Sequence, residues 1–165
     1  MVFFTCIGSR STPENILKQI IEICSDFCNQ GYVLRSGGAE GADSAAELGC
    51  DLVKGKKEIY LPWKNFNNNN SLLYHVNQES LELAAKIHPD WRACSYGAKK
   101  LHARNCFQIL GEDLKTPSKF VVCWTKNGEL IGGTRTALVV AIDNNIPIYN
   151  LAKCQKSDIL KLLHG

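Results

Sequence analysis

Leu34-Arg35-Ser36-Gly37-Gly38-Ala39-Glu40-Gly41-Ala42-Asp43 is the stretch that decides how this chain is read. Tyr32-Val33-Leu34 leads into it as a short apolar strand. Residues 43–53 follow as a helix with small residues on one side, suited to close packing on a sheet. Glycine lets the backbone turn tightly and lets a ligand approach its N–H groups. A helix starting just after such a turn aims those N–H groups and its positive dipole end at an anion. Two further turns share this setting. Residues 124–137, with Gly132-Gly133-Thr134 at the centre, join an apolar strand over 120–124 to a helix over 134–143. Gly8-Ser9-Arg10 follows a first strand over 2–7. Three such turns predict a site for a phosphate-bearing ligand, a nucleotide or a nucleotide derivative.

The remaining segments fit the same alternation. Thr12-Pro13-Glu14 opens a helix, with Thr12 as N-cap and Pro13 at the first helical position. Ile16, Ile20, Ile23, Cys24 and Phe27 give it one apolar stripe, and Gly31 stops it. Residues 58–61 read as a third strand, closed by Pro62-Trp63. Residues 64–100 differ: an asparagine run at 67–70, a helical stretch around 76–87, then His88-Pro89-Asp90-Trp91. The segment reads as an insertion or lid over the strand ends. A helix over 94–110, a strand over 146–150 and a short helix over 156–163 complete the chain. Alternation of this kind predicts an α/β fold: a single Rossmann-like doubly wound parallel sheet spanning 1–165. Ligands in such sheets sit outside the carboxyl ends of the strands, where all three glycine turns fall.

Composition sets the limits. The chain has 165 residues, 45% hydrophobic and 21% charged, with a net charge of +3. That balance is ordinary for a globular protein, and the weak charge with no basic stripe argues against a nucleic-acid partner. No run of eighteen apolar residues predicts a membrane span. The N-terminus reads as a strand rather than a signal peptide, so a cytoplasmic location is expected. Eight cysteines lie at 6, 24, 28, 50, 94, 106, 123 and 154, with no C-x-x-C and no paired Cys/His cluster. They read as reduced, buried thiols, with neither metal nor cofactor expected.

The candidate site residues follow from the turns. Gly8, Ser9 and Arg10 can meet a phosphate through backbone, hydroxyl and guanidinium. In the second turn, Gly37 and Gly38 permit close approach, and Arg35 and Ser36 are candidate contacts. Asp43 can accept from a ribose hydroxyl, and Glu40 can do the same or act as a base. Gly132, Gly133, Thr134, Arg135 and Thr136 form the main phosphate cradle. They match neither a Walker A loop nor a G-x-G-x-x-G fingerprint. On the preceding helix, Arg104 and Asn105 lie beside an apolar face and can reach the cleft. His102 reads as a structural or rim residue. Trp63 and Trp124 follow strands directly and are candidates to stack on a base.

At these residues the chain resembles the SLOG superfamily, the Rossmann-like group joining the DprA/Smf proteins to the LOG phosphoribohydrolases. It looks closest to the YpsA-related branch, many of whose members are phage-encoded. The matching pieces are Gly8-Ser9-Arg10, the 35–43 turn, Leu61-Pro62-Trp63, Leu101-His102-Ala103-Arg104-Asn105, and the stretch from Gly132 to Leu151. The resemblance implies nucleotide binding and a homo-oligomer. LOG enzymes remove a base from a nucleoside 5′-monophosphate with a Pro-Gly-Gly-x-Gly-Thr-x-x-Glu motif and an arginine on the preceding helix. Arg104 matches that arginine, and Gly132, Gly133 and Thr136 match the loop. Ile131 replaces the proline, Arg135 the third glycine, and Val139 the glutamate. A valine can neither stabilise an oxocarbenium-like centre nor activate water. The leading expectation is therefore a binder of an ADP-ribose-type or cyclic nucleotide signal, acting as a sensor or sequestering sponge. A phage source would suit an anti-defence sponge. The alternatives are a phosphoribohydrolase or N-glycosidase using Arg104 with Glu40 or Asp43, and a DprA-like single-stranded-DNA-binding module.

Overall fold

Five short segments are extended: β1 (Phe3–Gly8), β2 (Val33–Ser36), β3 (Lys57–Ile59), β4 (Val121–Trp124) and β5 (Ile148–Asn150). In the computed structural model, which describes residues 1–164, they form one all-parallel sheet in the order β3-β2-β1-β4-β5. β1 is central: Thr5 pairs with Arg35 on one side and Val121 on the other. The helices are α1 (Glu14–Asn29), α2 (Ala42–Leu52), α3 (Gln78–Ile87), α4 (Tyr96–Leu110), α5 (Arg135–Asp143) and α6 (Lys156–Leu160). This is the expected doubly wound α/β architecture.

Strand periodicity sorts the core into two faces. Phe4, Cys6, Leu34 and Val122 pack under Ile16, Ile20, Ile23 and Phe27 of α1 and the small residues Ala42, Ala45 and Ala46 of α2. Ile7, Val121 and Cys123 point the other way, against Cys106, Ile109 and Leu110 of α4 and Ala137, Leu138 and Ala141 of α5. Burial of each large apolar side chain contributes roughly 1.5–3 kcal/mol. Phe4 also meets Phe27 and Phe120, with ring centroids 5.4 and 5.7 Å apart. All eight cysteines are free thiols, six of them buried. Among the described residues, no helix is long and apolar enough to cross a membrane.

Several boundaries differ from the sequence reading for local reasons. α1 begins at Glu14 with Pro13, not Thr12, at the cap position. The Thr12 hydroxyl donates to the Ser9 carbonyl at 2.6 Å, which braces the turn after β1. β3 ends at Ile59, and Tyr60 continues only as a single bridge to Leu73. Of the segment read as an insertion or lid, 64–100, only Ala98 belongs to the cavity wall described below. Its α3 packs against α4 and α5.

Arg35 is diverted from the cleft. The alternation of β2 sends its side chain to the face opposite Leu34, where it is 2% exposed. It donates to Glu58 Oε1 at 2.9 Å and to the Thr116 carbonyl at 2.5 Å, and it stacks on Phe3 at 3.9 Å. These bonds tie β2 to β3 and to the loop after α4. Arg35→Met is expected to lower stability by about 2–3 kcal/mol, less than a fully buried pair because Glu58 is partly solvated. Urea unfolding at neutral pH measures this, and a loss below about 0.5 kcal/mol would contradict the bracing role.

Candidate functional site

The chain leaves β1 toward β2 and β3 on one side, then crosses back to β4 on the other. That reversal opens a crevice between the carboxyl ends of β1 and β4, the usual ligand position in doubly wound sheets. A cavity of about 480 Å³ lies there. Its walls come from Ile7 and Gly8 at the end of β1 and Ser9–Ser11 beyond it, Ala39 and Asp43 after β2, Thr125 and Lys126 after β4, Ile131–Thr134 before α5, and one face of α4. The α4 face carries Ala98, Leu101, His102, Arg104, Asn105 and Gln108, a helical spacing.

Asp43 is the chemically unusual group. It sits in the first turn of α2 and is 4% exposed. Oδ2 accepts the Ala39 N–H at 3.3 Å. Oδ1 has no partner, alone among buried side-chain oxygens and nitrogens of the described residues. Burial pushes the carboxyl up to about 6, against the opposing pull of Arg104 and the N–H groups of Ala39, Gly8 and Gly37. An orphaned buried acceptor normally costs the full desolvation of the group. It singles out Asp43 among the residues of the cavity wall.

Arg104 faces the same space and is 5% exposed. It donates to the carbonyls of Gly37 and of Tyr60, the latter at 3.0 Å, and through Nε to Asn105 Oδ1 at 2.9 Å. Burial pushes the guanidinium down to about 10, and Asp43 partly restores it. The two groups flank Gly37 without forming an ion pair. A Cβ on Gly37 would lie 2.8 Å from Asp43 Oδ2, 2.9 Å from Arg104 Nη1 and 2.0 Å from Gln108 Nε2. Only glycine lets α4 reach over β2 in this way.

The glycine turn before α5 is held by Asn105, whose amide donates to the Gly133 carbonyl at 2.6 Å. Gly132 has φ +69°, a conformation that favours glycine. Gly133 has no such constraint, and a Cβ there would meet nothing within 4 Å. Neither packing nor backbone strain asks for glycine at 133, so its backbone is open to whatever enters the cavity.

The structure brings Gly8, Ser9, Arg10, Asp43, Arg104, Asn105, Gly132, Gly133 and Thr134 together on this wall. It places other sequence candidates elsewhere. The Ser36 hydroxyl is fully buried and donates to the Cys6 carbonyl at 2.7 Å. Gly38 packs toward Ile59 and Leu61. Glu40 is exposed and off the wall. Trp63 is an exposed residue set edge-on to Phe66, and half-buried Trp124 packs against the core cluster that includes α1 and α2. Arg135 reaches the Ile87 carbonyl at 3.2 Å. The buried Thr136 hydroxyl pairs with His102 Nδ1 at 2.9 Å. Burial, then His88 and Arg104, lower the His102 pKa.

Sequence reasoning missed Ser11, Thr125, Lys126 and Gln108. Gln108 lies four residues after Arg104, on the same helical face, which was a legible signal. Thr125 and Lys126 follow β4 directly, but the reading passed over them to the glycines beyond.

No family model matches the sequence, and no curated protein matches it. Similarity appears in three dimensions. DNA processing protein A (DprA) from Helicobacter pylori, which has a single-stranded DNA binding mode, superposes with a TM-score of 0.58 at 15% identity. The match covers 99% of this chain and 73% of that one. DprA from Streptococcus pneumoniae gives 0.56 at 17% identity, covering 90% of this chain and 49% of that chain, so this chain spans about half its length. The molybdenum cofactor carrier protein of Chlamydomonas reinhardtii gives 0.45 at 15% identity, covering 99% and 98%. The DprA matches show a shared Rossmann-like α/β fold.

Proposed function

We propose that this chain binds a phosphate-bearing, nucleotide-derived small molecule in the cavity between β1 and β4. The observation that carries the reading is the unpartnered Asp43 Oδ1 in a cavity whose other charged residues are Arg10, Arg104 and Lys126. The cations and the N-termini of α2 and α5 favour an anion. The carboxylate repels an anion but accepts from a hydroxyl or an N–H. A ligand satisfying both carries phosphate at one end and donors such as ribose hydroxyls at the other. About 480 Å³ lies within the range of small-molecule sites. ADP-ribose-type compounds and cyclic nucleotide signals have this chemistry, and a sensor or sequestering sponge needs nothing more than binding. A homo-oligomer, a cytoplasmic location, a place in the YpsA-related branch and a phage anti-defence setting belong to the same proposal. They are supported by the sequence motifs only.

A second reading rests on the DprA-like fold. Arg10 and Lys126 are exposed at the cavity mouth, where a single-stranded DNA backbone can lie against them. Its binding would weaken steeply with salt.

The deciding experiment incubates the protein with nucleotides, ADP-ribose derivatives, cyclic nucleotides and an oligonucleotide. Melting is followed, and mass spectrometry identifies what is recovered after denaturation. A ligand at a hundredfold excess over Kd adds about 2.7 kcal/mol, or about 5–10 °C in Tm for a chain of this size. Intact recovery of one small molecule supports the binder. Free base and ribose phosphate would instead make Asp43 and Arg104 a hydrolytic pair, and salt-sensitive capture of the oligonucleotide alone would favour DNA. Gly133→Ala is expected to weaken small-molecule binding at least about tenfold, since a methyl group intrudes where the ligand approaches the backbone. Its Tm without ligand should match the parent, because the new Cβ has open space. Equal affinity in Gly133→Ala would remove the glycine turn from the site.

A further inference from the structure

His88, Cys94 and His102 are dispersed in the sequence, which reads as metal-free, yet the fold gathers them. One ligand atom from each lies within 4.8 Å of the other two. Cys94 Sγ is 3.7 Å from His88 Nε2, and the two imidazole centroids are 4.5 Å apart at 62°. Zinc–sulfur and zinc–nitrogen bonds of about 2.3 and 2.0 Å, at a tetrahedral angle, put sulfur and nitrogen roughly 3.5 Å apart. The observed separation of sulfur and nitrogen is already close to that edge. All three residues are half-buried rather than projecting into solvent.

The surroundings hold the ligands in place. His102 Nδ1 pairs with the buried Thr136 hydroxyl at 2.9 Å, which fixes the ring and leaves Nε2 available. Metal-bound histidines are likewise oriented by a hydrogen bond at the ring nitrogen that does not bind the metal. The Cys94 thiol donates to the Asp90 carbonyl at 3.6 Å, a weak bond given up when the thiol loses its proton to coordination. His88 Nδ1 accepts the Asp90 N–H at 3.0 Å, and coordination by either ring nitrogen gives up that one bond. One sulfur and two imidazole nitrogens suit zinc and exclude the oxygen-seeking magnesium and calcium.

We propose that His88, Cys94 and His102 bind one zinc ion, with a water in the fourth position. Binding converts the Cys94 thiol to a thiolate and releases its proton to solvent. The ion ties residues 88–94 to α4. His102 also lines the cavity between β1 and β4, so the metal stands next to the candidate ligand site.

The test uses the full chain, freed of metal by a chelator and titrated with cobalt(II) in the absence of nucleotide. Its result is therefore separate from ligand binding in the cavity. One equivalent is expected to produce a thiolate-to-cobalt charge-transfer band and the intense visible bands of a tetrahedral site, all displaced by zinc. Cys94→Ser should abolish the charge-transfer band, and His88→Ala should abolish tetrahedral binding. Cys154→Ser, at a half-buried thiol outside the cluster, should leave the spectrum unchanged. Thr136→Val should weaken cobalt binding by about 10–100-fold. Circular dichroism confirms that each variant is folded. A natively folded parent showing only weak octahedral bands, or a charge-transfer band surviving in Cys94→Ser, would overturn the proposal.

Discussion

Asp43→Asn is expected to lose ligand binding and yet melt higher than the parent protein. The carboxyl has a folded-state pKa of about 6 against an ordinary value of 3.8. A carboxyl raised by folding reverses the common case: its ionised form is held at a cost in the native state. The contribution is therefore most unfavourable above pH 6. It is relieved as pH falls through the folded value, and vanishes below the ordinary one. At pH 7 the cost is about 3 kcal/mol, from ~1.36 kcal/mol per unit of displacement. Asparagine keeps an oxygen for the Ala39 N–H and carries no charge. Calorimetry should show a gain of about 6–12 °C at pH 7 to 8. The advantage should shrink at pH 5 and disappear near pH 3. Ligand affinity of the parent should fall below pH 6, because a protonated Asp43 is a poorer acceptor. A variant that melts lower at pH 8, or that binds ligand normally, would show that the buried carboxylate has another purpose.

Arg104→Ala is expected to destabilise the fold by roughly 3–5 kcal/mol, as removal of one buried charged partner does. That corresponds to a fall of about 6–20 °C in Tm. The carbonyls of Gly37 and Tyr60 would lose their donor, and Asp43 would lose the cation that holds its pKa down. The Asp43 carboxyl should then titrate above 6, and the variant should recover stability as pH is lowered from 8 to 5. Arg104→Lys keeps the charge but not the fork that reaches two carbonyls and Asn105, so an intermediate loss is expected. A double-mutant cycle gives the sharper result. Adding Asp43→Asn to Arg104→Ala should restore part of the lost stability, since it removes the charge that has been stranded. Strict additivity in urea unfolding would mean that the two side chains do not sense each other across Gly37.

The order of strands and helices was legible because it rests on short-range signals. Val121, Val122 and Cys123 form an apolar run that only a central parallel strand can bury on both faces. The α1 stripe from Ile16 to Phe27 repeats at the helical period, and Gly31 adopts the positive φ that ends it. The three glycine turns announced where the strand ends would meet, and Gly8, Asp43, Arg104 and Gly132 do line one cavity.

Depth and facing were decided only by the tertiary structure. Glu40 and Asp43 are equivalent acids on one turn until α4 closes over β2, leaving one exposed and the other 4% exposed. Arg35 looked like a phosphate contact, but strand alternation turned it to the opposite face of the sheet, toward Glu58 and Thr116. His88, Cys94 and His102 share no motif spacing and meet because the chain after α3 folds back onto α4. Local sequence encodes period and turn chemistry, which act over a few residues. Which side chains lose their water, and beside which charges, depends on the β3-β2-β1-β4-β5 order. That order is set by packing between segments far apart in the chain.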